Sequence, residues 1–239
     1  MSKITVVGSL NMDLVITTPK IPVIGESLLG SNFMTAPGGK GANQAVAAAR
    51  LGGQVSMIGR VGGDIFGADL LKNLKANGVG TSHVKAVEGM STGIAVILVK
   101  DGNNCIIVDP GAGLALTPDI IEEASEEIRS CEIMMVQLEI PQESVEKAVE
   151  IASAHGVKVL LNPAPARKLS DDMLSRIAIL TPNETECEIL TGIPIHSIED
   201  AKKGAAFLLE KGVGQVVVTL GGKGVVYNSG KEFLHKPVP

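Results

Sequence analysis

The pattern of apolar and polar positions in the second half of the chain alternates between two periods. Short runs of Val, Ile, Leu and Met predict buried strands, and longer segments with apolar residues three or four positions apart predict helices. The predicted strands are residues 132–139, 157–163, 177–183 and 215–222, and the longest predicted helices are residues 141–156 and 198–212. Such alternation is typical of a parallel sheet with helices on both faces. We therefore predict an α/β fold in which the carboxyl ends of the strands line one edge, where ligands bind.

The first half of the chain departs from this alternation. After a strand predicted at residues 3–9, residues 17–39 are interrupted by Pro and Gly and show no helical period. Residues 93–100 and 104–110 are apolar runs that flank the turn Asp101-Gly102-Asn103, which is typical of a hairpin. As strands of the central sheet, these segments would leave long bare connections, so we expect them to form a separate element.

We predict that this element is a small antiparallel β lid over the strand edge. It would be formed by about residues 12–36 and 93–110, which enter it from two places in the chain. A lid is expected where a reactive phosphoryl group must be kept from water. The sequence shows no repeat and no linker, so residues 1–239 are expected to form a single α/β domain.

Composition and charge exclude several classes of function. The formal net charge is −5 and no Lys/Arg cluster reverses it, so nucleic acid is not an expected partner. No apolar stretch reaches the roughly 18 residues of a membrane helix, and no signal peptide is visible. The three cysteines and four histidines are scattered without metal-binding spacing. We therefore expect a cytoplasmic protein with reduced thiols and no membrane partner.

Residues 35–45, T-A-P-G-G-K-G-A-N-Q-A, place three glycines around Lys40 at the start of a helical run. Glycines around a lysine at a helix start suggest a phosphate-binding loop. The segment is not a Walker A sequence, because Gly41 follows Lys40 where Ser or Thr is required. Residues 6–13 likewise carry a single glycine where a dinucleotide fingerprint needs three. A glycine-rich cap on the helix predicted at residues 42–53 remains the alternative.

Polar residues also follow several of the predicted strands. These positions are Asn11, Asp13, Glu139, Asn183 and Glu186, together with the Gly-rich turn at residues 219–224. Each position alone is a weak signal, because an Asn at a strand end is more often a turn residue or a helix cap. Asp and Asn suit sugar hydroxyls, and a Gly-rich turn lets backbone N–H groups approach a polyphosphate. Together they predict a site for a sugar and a polyphosphate.

In order and spacing, these segments resemble the motifs of the ribokinase (PfkB-type) carbohydrate kinase family over the whole chain. The segments that carry the resemblance are 8-GSLNMD-13, 37-PGGKGANQA-45, 57-MIGRVGGDIFG-67, 136-VQLEIP-141, 181-TPNETE-186 and 217-VVTLGGKG-224. The resemblance implies a Rossmann-like, mainly parallel sheet with helices on both faces and a small antiparallel β lid that also forms a homodimer contact. It implies transfer of the ATP γ-phosphoryl group to the 5-hydroxyl of D-ribose, with another sugar or a nucleoside as the alternative acceptor.

The resemblance also assigns roles to individual positions. The residues expected to bind the sugar are Asn11, Asp13, Gly38, Gly39, Lys40, Asn43 and Glu139. The residues expected to bind the nucleotide are Asn183, Thr219, Gly221, Gly222, Lys223 and Gly224. Glu186 would organise Mg²⁺ through water, and a K⁺ site is a further expectation outside residues 1–239. For Lys223, a side chain that only points to solvent is the alternative.

The catalytic base of this family is the Asp that closes a D-T-x-G-A-G-D-type motif, and the sequence contains no such motif. Residues 109–113 include Gly-Ala-Gly, but Leu114 stands where the Asp should be, so the segment is better interpreted as the exit from the lid. The base is therefore expected beyond Pro239, in a chain that is C-terminally incomplete. We expect little or no turnover and exposed apolar sheet surface, which favours instability or association. A truncated, non-catalytic sugar- or nucleotide-binding protein is the alternative function.

Overall fold

The computed structural model describes residues 2–238, so Met1 and Pro239, the ends of the predicted domain, lie outside the described residues. The strands are β1 (Lys3–Val7), β2 (Asn11–Thr17), β3 (Ser31–Gly38), β4 (Gln54–Gly62), β5 (Gly80–Val87), β6 (Gly93–Lys100), β7 (Asn103–Asp109), β8 (Ile133–Val136), β9 (Lys158–Leu161), β10 (Ile179–Leu180), β11 (Gln215–Thr219), β12 (Val225–Asn228) and β13 (Phe233–Lys236). The helices are α1 (Lys40–Arg50), α2 (Ile65–Ala76), α3 (Pro118–Glu123), α4 (Ser125–Arg129), α5 (Gln142–Ala154), α6 (Asp171–Ser175), α7 (Glu184–Thr191) and α8 (Ile198–Glu210).

The large sheet has nine strands in the order β13-β12-β11-β10-β9-β8-β1-β4-β5. All pairs from β11 to β5 are parallel, and β12 and β13 extend the β11 edge as antiparallel strands. The mainly parallel sheet predicted from the sequence is therefore confirmed. The strand predicted at residues 177–183 is shorter than expected, because only Ile179–Leu180 pairs on both sides before the chain turns into α7.

Helices cover the large sheet on both faces. Successive strand residues point to opposite faces, so Val6 packs with α1 and α2, whereas Val7 packs with the helices from α3 to α8. The apolar cluster that contains Val7 is larger than the one that contains Val6, and it includes the buried faces of α5 and α8, with residues such as Val145 and Leu208. This arrangement confirms the α/β prediction. It leaves the carboxyl ends of the parallel strands free to build a site.

An open apolar groove of about 490 Å³ lies beside α1. It is lined by the sheet residues Ile4, Ile133, Met135 and Leu160 and by Leu51, which is 89% exposed. Apolar sheet residues therefore line an open groove on this face. Association of the chain through this surface stays a prediction. A sharp thermal transition whose midpoint does not change with protein concentration would contradict it.

The small sheet has four strands in the order β3-β2-β6-β7. The outer pairs β2–β3 and β6–β7 are antiparallel, whereas the central pair β2–β6 is parallel, because both strands leave the large sheet in the same direction. Asp101 and Gly102 both have positive φ, 49° and 77°, as the hairpin turn between β6 and β7 requires. The exposed apolar side chains on this sheet are Phe33, Met34, Ile106, Ile107 and Val108.

The cysteines are free thiols: Cys105 is exposed, and Cys131 and Cys187 are buried. Burial raises the pKa of the Cys187 thiol to about 11, so this side chain acts as a core residue and not as a nucleophile. Within residues 2–238, no group of three or more His, Cys, Asp and Glu side chains is placed to hold a metal ion. Over the same residues, every helix is too short or too polar to cross a membrane.

Candidate active site

A cleft of about 640 Å³ lies where the small sheet meets the carboxyl edge of the large sheet. Because β1, β8, β9, β10 and β11 are neighbours, the segments that follow them lie side by side along this edge. The charged side chains that line the cleft are Lys40, Glu139, Arg167 and Glu186. The small sheet and its exit contribute Ile106, Val108, Pro110 and Leu114 to the opposite wall. The cleft therefore brings together residues expected to bind a sugar and a residue expected to organise a metal ion.

The loop at residues 38–41 packs backbone against backbone on the segment that follows β1. Gly39 has φ 90° and ends the loop at the N-terminus of α1. A Cβ on Gly39 would lie 2.7 Å from the backbone nitrogen of Asn11, and one on Gly41 would lie 2.6 Å from that of Ser9. The Ala42 N–H donates to the Ser9 carbonyl over 3.0 Å. Glycine is required here for close approach, and the contact fixes the two segments that are expected to bind the sugar relative to each other.

Glu139 connects this loop to the large sheet. Its Oε2 accepts from the Ser9 hydroxyl at 2.6 Å and from the Lys40 backbone N–H at 3.1 Å. Its Oε1 lies 3.9 Å from the Lys40 ammonium group. The side chain is only 13% exposed, so these contacts hold the carboxylate in one position. Oε1 makes no hydrogen bond to another described residue, which leaves it available to a ligand hydroxyl.

Asn11 and Asp13 reach the same region from β2. Asn11 is buried and pairs in register with Gly38 on one side and Gly93 on the other. A Cβ on Gly38 would lie 2.4 to 2.5 Å from the Asp13 carboxylate, so the missing side chain makes room for it. Burial raises the pKa of Asp13, and the negative charge of Glu139 adds to the effect. Two carboxylates thus face one site, which suits several hydroxyl donors.

The raised pKa of Asp13 predicts a dependence of stability on pH. The folded state holds this proton more tightly than the unfolded state, so stability decreases as pH rises from the unfolded pKa through the folded one. The loss of stability caused by the ionised Asp13 carboxylate persists at neutral pH. We expect Asp13→Asn to raise the urea midpoint at about pH 7 and to raise it less at about pH 4. Asp69→Asn, at an exposed position on α2, is the control, and an Asp13→Asn chain less stable at neutral pH would contradict the prediction.

Asn183 and Glu186 form a capping box at the start of α7. The Asn183 Oδ1 accepts from the Glu186 backbone N–H at 2.8 Å, and the Glu186 Oε2 accepts from the Asn183 backbone N–H at 2.9 Å. The helix-cap alternative is therefore realised in the structure. The Asn183 side-chain nitrogen and the second Glu186 oxygen keep their capacity for a ligand. A single carboxylate oxygen suits Mg²⁺ that retains most of its water, and the role of Glu186 in organising Mg²⁺ stays a prediction.

This cap gives a measurable prediction for stability. Asn183→Ala removes the acceptor for the Glu186 N–H, and we expect a loss of about 1 kcal/mol in the free energy of unfolding, measured by urea denaturation. Asn183→Asp keeps an acceptor at the same place and serves as the matched control, with unfolding expected within about 0.5 kcal/mol of the unchanged chain. Equal losses in the two variants would show that the cap is not the cause.

The Gly-rich turn at residues 219–224 lies next to this cap. Thr219 bridges to Asn183, and its N–H donates to the Pro182 carbonyl at 2.9 Å. Gly221 and Gly222 begin a short 3₁₀ turn, and no heavy atom lies within 4 Å of a Cβ built on either. This open backbone fits the approach of a polyphosphate. Gly224 differs, because its Cβ would collide with the carbonyl of Lys236.

Lys223, Asn43 and Ser9 have different surroundings. Lys223 donates from Nζ to the His196 carbonyl at 3.1 Å, so its ammonium group is held by the connection before α8. Asn43 is exposed in the first turn of α1. Ser9 was not predicted, although it is nearly buried and its hydroxyl fixes Glu139. Its position inside the G-S-L-N-M-D segment was the available signal.

Arg167 is the other residue that sequence reasoning missed. It follows β9 in the segment N-P-A-P-A-R and lines the cleft.

Residues 111–113, which contain Gly-Ala-Gly, form a 3₁₀ turn with Leu114 and Ala115, and the Ala112 N–H donates to the Ser91 carbonyl at 2.8 Å. This segment leads out of the small sheet, as predicted.

Comparison with known proteins agrees with these motifs. The model of the pfkB family of carbohydrate kinases matches residues 1–239. Ribokinase from Haemophilus influenzae is 44% identical over 235 residues, which are 98% of this chain and 77% of that protein. Deoxyribokinase from Salmonella typhi is 40% identical over 236 residues, again 98% of this chain and 77% of that protein. The solved structure of Arabidopsis thaliana ribokinase complexed with ribose and ATP has a TM-score of 0.90 at 32% identity, with 99% of this chain and 78% of that chain covered.

Proposed function

Because the chain belongs to the pfkB family of carbohydrate kinases, we propose that D-ribose and ATP are the substrates of its cleft. The reaction would be transfer of the γ-phosphoryl group to the 5-hydroxyl of ribose. The observation that carries this proposal is the Glu139 carboxylate, which Ser9 and Lys40 hold at the end of β8 beside Asn11 and Asp13. The ribose and ATP bound by the Arabidopsis relative support the same pair of substrates.

The sugar is tested by calorimetric titration of the chain with ribose, 2-deoxyribose, fructose and adenosine. Deoxyribose belongs in the set, because a deoxyribokinase is among the relatives at 40% identity. We expect ribose to bind most tightly, since Asn11, Asp13 and Glu139 together offer acceptors and donors for several hydroxyls. Absence of ribose binding would overturn the proposal, and tighter binding of another member of the set would assign that sugar or nucleoside instead.

We place the nucleotide on the other side of the cleft, beside Asn183, Thr219 and the open turn at Gly221 and Gly222. Glu186 would hold the hydration shell of Mg²⁺ with its second oxygen. When bound, Mg²⁺ neutralises charge on the phosphates of the nucleotide. The protein's own part is positioning: the Gly-rich turn offers backbone N–H donors, and the capping box keeps Glu186 in place.

We further propose that residues 1–239 alone bind the substrates without fast turnover. Phosphoryl transfer uses a base near the attacking hydroxyl, and the motif that supplies it in this family does not occur in these residues. We expect ribose binding with little ADP release. A rate of about 1 per second or faster, typical of a kinase, would contradict this assignment of the base. Turnover that appears only after a relative's motif-bearing segment is appended would argue against a purely non-catalytic binding protein.

A homodimer formed through the small sheet is part of the same proposal. Phe33, Met34 and Ile107 are each more than half exposed on the edge strands of this sheet, and exposed apolar side chains favour association. Ile107→Lys should therefore shift the chain towards a smaller species in analytical ultracentrifugation. Ile65→Lys, at an exposed position on α2, is the control. An unchanged sedimentation coefficient for the Ile107 variant would place any association elsewhere.

A further inference from the structure

Arg167 is a half-buried cation whose guanidinium group includes two buried donor atoms without a partner in the described part of the chain. It lies in the connection between β9 and α6, and its Nε and Nη2 make no hydrogen bond to any of residues 2–238. Buried guanidinium groups normally donate to carboxylates, carbonyls or bound anions, because leaving a charged donor unpaired is costly. The other charged side chains that line the cleft do have partners: Glu139 is held by Ser9 and Lys40, and Glu186 by the capping box.

The surroundings of Arg167 do not explain its position. Arg167 lines a cavity of about 50 Å³ together with apolar residues such as Leu138 and with the polar residues Gln142, Glu146 and Ser170. Burial lowers the pKa of Arg167, although the charges of Glu146 and Glu143 act in the opposite direction. The Glu146 carboxylate accepts instead from the Gln142 side chain at 2.7 Å. Glu146 and Glu143 are thus near enough to act on the guanidinium charge, but neither accepts a hydrogen bond from its Nε or Nη2.

The strand order places Arg167 between the two halves of the cleft. Strand β9 lies between β8, which leads to Glu139 on the sugar side, and β10, which leads to Asn183 on the nucleotide side. The segment that carries Arg167 follows β9 and lines the same cleft as Glu139 and Glu186. A phosphate group located between a sugar and a nucleotide would therefore lie next to this segment. The planar, multiple N–H donors of arginine suit phosphate oxygens.

We propose that Arg167 is a phosphate-binding residue of the cleft, which donates to a phosphate group between the sugar and nucleotide sides. The inference rests on the proposed function. The same chemistry is offered by the 5-phosphate of ribose 5-phosphate and by the terminal phosphate of ATP, and the two sources can be separated by titration. Arg167 would then not be needed to bind ribose itself, which carries no charge.

The test compares the unchanged chain with Arg167→Met and Arg167→Lys by calorimetry with ribose, ribose 5-phosphate, ADP and ATP. We expect Arg167→Met to lose about tenfold or more in affinity for ribose 5-phosphate, for ATP relative to ADP, or for both. Ribose affinity should stay within about twofold, since an uncharged sugar does not use the guanidinium. Arg167→Lys should lose less than Arg167→Met, because it keeps the charge. Arg176→Met is the control, as Arg176 is exposed and pairs with Asp172 at 3.0 Å.

The outcomes separate the possible errors. A loss only for ribose 5-phosphate, or only for ATP, supports the proposal and identifies the source of the phosphate. If Arg167→Met binds each of the four ligands as tightly as the unchanged chain does, the proposal is overturned. Bound water in the 50 Å³ cavity would then satisfy the guanidinium. A parallel loss for ribose would also overturn it, as would failure of the unchanged chain to bind either phosphate compound. If the unchanged chain does not bind ribose, the proposed function fails independently of Arg167.

Discussion

Replacement of Glu139 by Ala is expected to abolish measurable ribose binding, a loss of roughly a hundredfold or more in affinity, or about 3 kcal/mol. The carboxylate accepts from the Ser9 hydroxyl at 2.6 Å and the Lys40 N–H at 3.1 Å, and Oε1 is left for the sugar. The Ala variant would therefore remove the proposed sugar acceptor and leave two donors unpaired, the Ser9 hydroxyl and the Lys40 N–H. Both effects would act on binding, because we propose that the loop and the segment after β1 contact the sugar.

The experiment is a calorimetric titration with ribose, supported by circular dichroism to show that the variant is folded. Glu132→Ala is the matched control, because Glu132 precedes the same strand at its opposite end and is exposed. The Glu132 carboxylate accepts only a long hydrogen bond of 3.4 Å from the Lys3 N–H. We expect the control to bind ribose like the unchanged chain. Ribose affinity within a few-fold of normal in the Glu139 variant would show that the sugar binds elsewhere.

Gly39→Ala is expected to cause the largest loss of stability, about 3 kcal/mol or more, together with loss of ribose binding. At φ 90° the backbone of this residue adopts a conformation that side chains rarely permit. In addition, the new Cβ would lie 2.7 Å from the Asn11 nitrogen and 2.9 Å from the Ser9 carbonyl oxygen. Both neighbours are backbone atoms of the segment after β1, so neither can rotate away. The loop and that segment must separate to accept the methyl group.

Gly52→Ala isolates the contribution of backbone conformation. Gly52 has φ 92°, nearly the same as Gly39, but no heavy atom lies within 4 Å of a Cβ built on it. Urea denaturation of the two variants therefore separates conformational strain, common to both, from the collision, present only at residue 39. We expect the Gly52 variant to lose about 1 kcal/mol and to bind ribose normally. Equal losses of stability in the two variants would mean that the loop adapts without cost.

The fold was predictable where apolar residues follow a clear period. Strands such as β8 and β9 and helices such as α5 and α8 were predicted within a few residues of their observed ends. The length of β10 was not, because the apolar run starts at Ile177, before the paired residues, and the prediction also extended over Thr181 and Pro182 of the connection to α7. The parallel pairing of β2 with β6 was also missed. It joins segments about 80 residues apart, and no local pattern records which strands become neighbours.

The site was predictable only in part, for a related reason. Glu139 and the loop at residues 38–41 have the residue types that a sugar needs, so the motif was visible without coordinates. Ser9 and Arg167 carry ordinary side chains whose importance comes from burial and from their neighbours. For Asn183 and Glu186, the sequence motif was visible, but it did not distinguish between two roles. Their spacing satisfies both a capping box and the family's phosphate motif, and the structure demonstrates the cap while leaving the second role to experiment.

The residues that we propose to bind the sugar are divided between two sheets, and this division has a mechanical consequence. Asn11 and Asp13 belong to β2 of the small sheet, whereas Glu139 follows β8 of the large sheet. A sugar that contacts all three would act as an additional, removable crosslink between the two sheets. The small sheet could then not swing away without breaking those contacts, and its amide protons should exchange more slowly when sugar is present. The ligand would thereby contribute to the rigidity of the enclosure that surrounds it.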